Sequence, residues 1–132
     1  MYERKRSESI KLLDGATSAK SSVAYPISDY TQMFISLATD NSAEWTIKIQ
    51  GSFSDECPDF SQAASADNQW SYISVRNLED GTNIDGTTGV ALEGTDAVID
   101  LLVNTPALRW IGVTITTYTA GTFNVILNGF SS

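Results

Sequence analysis

Trp45, Ile47 and Ile49 alternate with Thr46, Lys48 and Gln50. A period of two puts the apolar set on one face and the polar set, Gln50 included, on the other, so residues 44–51 predict a half-buried strand. Residues 30–39 repeat the pattern, with Met33, Ile35 and Leu37 against Phe34, Ser36 and Ala38. Asp40-Asn41-Ser42 between the two runs predicts a turn, and hence a hairpin. A second hairpin is predicted over 107–130. Its arms, 108–118 and 122–130, are β-branched and aromatic, and they flank Thr119-Ala120-Gly121, where the glycine is free to take a positive φ. In the first arm Arg109, Ile111, Val113 and Ile115 share a face, and Leu108, Trp110, Gly112 and Thr114 share the other. Apolar groups on both sides predict a strand covered twice, central to the domain, with the rest of the chain organised around it.

Weaker signals fill in the remainder. Residues 23–27 read as an edge strand, because Pro26 has no N–H to give a ladder. Residues 70–76, 90–92 and 96–103 predict further strands. Residues 52–68 read as a long loop with one helical turn, and 77–94 as a Gly-, Asp- and Thr-rich loop. Residues 1–22 are polar, with a helical turn expected around 8–13 that stops at Asp14-Gly15, then a linker of small residues. About eight strands and no long helix predict an all-β chain, an antiparallel β-sandwich or jelly roll over 23–132. An extended N-terminal arm and linker, 1–22, is expected to precede it.

At 132 residues the chain is long enough for one domain with its own core. Histidine is absent, which removes the commonest general base and transition-metal ligand. Cys57 is the single cysteine and sits beside Pro58; it reads as an unreactive loop residue, with no internal disulfide to form. Leu12-Leu13 is too short for a signal-peptide core and no run approaches transmembrane length, so a protein made without an export signal is expected. The net charge of −8 is uneven. Residues 1–20 hold five bases (Arg4, Lys5, Arg6, Lys11, Lys20) against three acids, and the remainder holds three bases against thirteen acids. Such a body repels nucleic acid, while the basic arm suits an acidic protein surface or a second copy.

Candidate chemistry is sparse. Asp55, Glu56 and Asp59 in one loop, and Glu79, Asp80 and Asp85 in another, could pair as glycosidase carboxylates, but their polar surroundings read as solvated loops. The run from Asp80 to Gly86 resembles a calcium loop only until Gly86 is aligned with the turn glycine. Gly81 and Leu92 then fall where the strongest ligands belong. No Gly-X-Ser-X-Gly elbow or phosphate loop occurs, so no catalytic, metal or cofactor residues are expected and the chain reads as non-enzymatic. Trp45 and Trp110 are in phase with buried positions, whereas Trp70 follows a polar loop and is the one expected to be exposed. Trp70 with Asp55 and Asp59 is therefore the candidate glycan contact of a carbohydrate-binding or host-adsorption module, the alternative reading.

Three segments carry a family resemblance: residues 45–55 (WTIKIQGSFSD), 108–114 (LRWIGVT) and 121–129 (GTFNVILNG). Together they resemble the strand and Gly-Ser loop, penultimate strand and closing strand of small β-sandwich proteins. Tailed bacteriophages use these as capsid decoration, cement or head-fibre subunits. The resemblance covers residues 23–130. It implies a structural subunit at the virion surface, a homotrimer seated on the major capsid protein; without an export signal it is expected to be made in the host cytoplasm, with neither nucleic acid nor membrane as partner. It also implies engagement through an N-terminal arm, here carrying Arg4, Lys5, Arg6, Lys11 and Lys20.

Overall fold

The computed structural model describes residues 6–28, 30–92, 97–103 and 108–131. Among them are nine strands and no helix: β1 (Arg6–Ala16), β2 (Tyr25–Pro26), β3 (Gln32–Ser52), β4 (Ser71–Tyr72), β5 (Val75–Asn77), β6 (Asn83–Ile84), β7 (Val90–Leu92), β8 (Ala97–Val103) and β9 (Trp110–Ser131). The all-β prediction holds.

Neither predicted hairpin forms. β3 continues through Asp40-Asn41-Ser42 and β9 continues through Thr119-Ala120-Gly121. The two pair antiparallel along their whole lengths, from Gln32 opposite Phe130 to Ser52 opposite Trp110. The turn-forming residues are absorbed as irregularities in the ladder between Asp40 and Trp45, with Gly121 at a φ of 95° on the facing strand. A bulge and a turn draw on the same residues, and a bulge bends a strand without reversing it. The inward set has odd numbers on both sides of each irregularity, so continuing the strand keeps a single apolar face.

The bend divides the long strands between two antiparallel sheets of a sandwich. Residues 32–40 and 122–131 belong to the first, in the order β1-β9-β3-β8-β5-β6. Residues 45–52 and 110–118 belong to the second, with β2 beyond β9 and with β4 and β7 beyond β3. Met33, Ile35, Leu37, Phe123, Val125 and Leu127 from the first sheet share one core with Trp45, Ile47, Ile49, Ile111, Val113 and Ile115 from the second. At the junction Trp45 stacks on Phe123, with ring centroids 4.8 Å apart. The predicted 70–76 strand is split. β4 pairs with β3 in the second sheet, β5 pairs with β8 in the first, and Ile73 is buried where the chain crosses.

The N-terminal segment is a strand where a helical turn was expected. Residues 6–16 pair with β9, burying Leu13 and Ala16 in the core. Irregularity between Lys11 and Leu13 lets Ile10, opposite Leu127, and Leu13, opposite Val125, both face inward. A bulge thus produces the i,i+3 apolar spacing that reads as helical in sequence. The chain then stays on β9: Ile115 N–H donates to Lys20 O (2.8 Å) and Ser22 N–H to Val113 O (2.8 Å), before β2 pairs Tyr25 with Ile111. β9 therefore has β3 on one side and residues 6–26 on the other, the central position predicted for it.

Candidate functional site: a neutral cavity over the second sheet

On the outer face of the second sheet, Gln50 lies between Tyr72 of β4 and Gly112 of β9. Gly112 leaves a notch in that row, and Phe60, 3% exposed, fills it. A Cβ at Gly112 would lie 2.5 Å from the Phe60 ring and 2.8 Å from Ser22 Oγ. Gln50 Nε2 donates to the Phe60 carbonyl (2.9 Å), so ring and backbone of one loop residue are both fastened to the sheet. This docking folds residues 53–70 back over the face and explains why 111–115 are buried on both sides. Gln50, expected to face solvent, is 1% exposed for the same reason.

The loop holds its shape through its own bonds. Asn68 Oδ1 accepts from Asp59 N–H (2.8 Å) while its Nδ2 donates to Asp59 O (2.9 Å). Trp70 Nε1 donates to Gln62 O (3.0 Å), Ser52 Oγ to Gln69 O (2.6 Å), and Trp110 Nε1 to Ser54 O (3.0 Å). Trp110 is therefore a half-buried pin on the outer face, where a core position was expected, whereas Trp45 is in the core as predicted. Trp70 is half-buried, its ring edge-on to Phe60 and Tyr72 at 6.1 and 5.1 Å.

A cavity of about 390 Å³ remains between loop and sheet, lined by Ser21, Gln50, Phe60, Trp70, Tyr72 and Thr114 together with residues 61–64. A smaller one of about 220 Å³ lies on the other side of Trp70, against residues 51–54. No charged side chain lines either. Ser21 Oγ and Thr114 Oγ1 hydrogen-bond at 2.7 Å, a bond that uses one of their two hydroxyl protons. Gln50 Oε1 is buried and accepts no hydrogen bond. An acceptor left so costs about 1–3 kcal/mol, which makes it the chemically conspicuous atom of the site.

Of the residues singled out as glycan contacts, only Trp70 lines the cavity. Asp55 pairs with Arg109 (2.8 Å), both side chains largely exposed, and such a pair contributes little stability. Asp59 caps its own turn: the Ser61 hydroxyl and N–H hold its carboxyl below the ordinary range. Asp80 and Asp85 are likewise lowered, by hydrogen bonds from the backbone and side chains of Thr82 and Thr87. A general acid needs the opposite shift. Among the described residues no three His, Cys, Asp or Glu side chains converge on a point. Of the basic residues, Arg4 and Lys5 lie outside the described residues, and Arg6 pairs its backbone with Ser131. Lys11 lies 3.6 Å from Asp14, and Lys20 is exposed. Gln50, Phe60 and Gly112 were not expected at a site. The signal available was the glycine itself, which in a β-branched run marks a close approach.

On the first sheet's outer face Phe34 and Phe130 pack edge-on at 5.7 Å beside Leu78, bordering a cavity of about 250 Å³, and Val98 is 68% exposed.

No protein-family model matches the chain, and no curated protein matches it in sequence. Solved structures do. The SPBc2 prophage-derived protein YomS aligns over 99% of this chain and 98% of its own, with a TM-score of 0.70 and 13% identity. The likeness is one of fold. The PBSX exported protein XepA aligns over 99% of this chain with a TM-score of 0.74 and 17% identity; the chain spans 40% of XepA's length. Both neighbours are phage-derived proteins. Identities this low carry architecture and leave chemistry to the residues themselves.

Proposed function

We propose that the chain is a non-enzymatic structural protein of a phage particle, decorating or cementing the capsid surface as a homo-oligomer. The observation that carries this reading is the end-to-end overlap with a prophage-derived protein, 99% of one chain on 98% of the other. Two surface features support it. Phe34, Leu78 and Phe130 form an apolar patch bordered by Asp100 and Asn128, and the exposed Val98 lies further along the same face, beyond the Ser36–Asp100 hydrogen bond. β1 forms an outer edge of the first sheet and carries Lys11, a base on an otherwise acidic body. Self-association uses the apolar face, and capsid attachment uses the bases Lys11 and Lys20 on the β1 side of the sheet.

The test combines light-scattering mass with sedimentation of the full chain on particles that lack it. Removing residues 1–22 would delete a strand and two core side chains, so charge reversal is the cleaner perturbation. Lys11→Glu with Lys20→Glu is expected to abolish attachment, and Val98→Asp to reduce the oligomer to monomers. Full occupancy by the double variant, or unchanged mass for Val98→Asp, would remove the corresponding surface from the proposal. A second reading, a carbohydrate-binding or adsorption module, is favoured by the uncharged cavity beside Trp70.

A further inference from the structure

We propose that the cavity over Gln50 binds one ring of a neutral, hydroxyl-rich ligand, an uncharged sugar residue of a glycan. The inference deepens the carbohydrate-binding reading and rests on it. Four observations converge. The volume of about 390 Å³ falls in the range of small-ligand sites, about 300–1,000 Å³. Gln50, the most buried lining residue, has an Oε1 with no donor; it is sealed from solvent as the site stands, and a ligand hydroxyl supplies the missing bond once the covering side chains give way slightly. The Ser21–Thr114 hydroxyl pair keeps one proton to donate and lone pairs to accept, the double capacity that sugar hydroxyls match. Trp70 and Tyr72 add aromatic surface for the C–H face of a ring.

Charge narrows the ligand class. No cation lines the cavity to balance a carboxylate, sulfate or phosphate, and the acidic body disfavours anions. No carboxylate lines it to receive an ammonium group. Lys48 sits over the Tyr72 ring at 4.9 Å and does not line the cavity. Trp70 borders the smaller cavity as well, so a second sugar of the same chain would lie beyond it, over residues 51–54.

The experiment is a titration of the ¹⁵N-labelled full chain with glucose, galactose, N-acetylglucosamine and N-acetylgalactosamine, each to roughly 100 mM, well above a millimolar Kd. The Gln50 side-chain amide and Trp70 indole report on the cavity, and the core Trp45 indole serves as the control. At least one sugar is expected to shift the first two saturably and leave Trp45 in place. Thr114→Val, which keeps shape and removes the hydroxyl, is expected to weaken that sugar about tenfold, and Ser21→Ala likewise. No saturable shift with any of the four would overturn the site and the carbohydrate reading together. Saturable shifts elsewhere, indifferent to Thr114→Val and Ser21→Ala, would overturn this site and leave carbohydrate binding standing.

Discussion

Adding one methyl group at Gly112 should unseat a loop whose chain position is some fifty residues away. The alanine Cβ would lie 2.5 and 2.6 Å from two Phe60 ring carbons and 2.8 Å from Ser22 Oγ. Relief requires the ring to retreat by roughly 1 Å to reach an ordinary carbon–carbon contact of about 3.5–4.0 Å. Yet Phe60 is tethered to the sheet, because its carbonyl accepts the Gln50 Nε2 proton. Overpacking of this kind costs about 1–3 kcal/mol, and complete expulsion of the ring forfeits about the same, since burying a Phe side chain contributes about 1.5–3 kcal/mol. Gly112→Ala is therefore expected to destabilise by about 2 kcal/mol, read as a lower urea midpoint at constant slope. Phe60→Ala alone should cost about 3 kcal/mol by leaving a void. In that background the added methyl meets no ring and only the Ser22 Oγ contact remains, so Gly112→Ala should cost less than in the parent and the cycle should show a coupling of about 1 kcal/mol. Additive single effects would refute the seating of Phe60 on Gly112, and with it the origin of the cavity.

Three further outcomes follow from the packing. Leu13→Ala should cost about 2–5 kcal/mol by calorimetry or urea melts, as for any core leucine, whereas Lys11→Glu should stay within about 0.5 kcal/mol; equal, small effects would place residues 6–16 outside the core. Gly121→Ala should cost about 1–2 kcal/mol because φ is 95° there; a neutral substitution would count against the bend at that residue. Asp59, Asp80 and Asp85 have folded-state pKa values below the ordinary 3.8, so their turn bonds stabilise above that pH and are lost as pH falls through the lowered values. Protection of the Ser61, Thr82 and Thr87 amides, their exchange relative to the intrinsic rate at each pH, should accordingly fall only below about pH 4, and protection already absent at neutral pH would contradict the caps.

The strand parities were legible because burial on one face of a sheet imposes a period of two, and Met33, Ile35, Leu37, Trp45, Ile47 and Ile49 keep it. The central place of residues 110–118 was legible too, from apolar groups on both faces. The site was far less so. Gln50 occupies the phase of a solvated residue, and Trp70 was the sole member of the cavity picked out. The aspartates singled out as glycan contacts are occupied instead, Asp55 with Arg109 and Asp59 with Ser61. Residues spaced from Ser21 to Thr114 share no local signal, since what joins them is cross-strand adjacency and a loop laid over it.

Sequence by itself determined which residues of β3 face the core, because there each inward side chain needs only its own phase and its apolar surface. It also determined the all-β class and the acidic character of the body. Tertiary structure decided whether Asp40-Asn41-Ser42 and Thr119-Ala120-Gly121 would reverse the chain or merely bend it. Local turn chemistry permits both, and the choice fell to the long mutual ladder of β3 and β9, which pairs both strands throughout and keeps one face apolar. The same non-local pairing drew residues 6–16 onto the edge of β9, satisfying backbone groups that no local pattern reveals as unpaired.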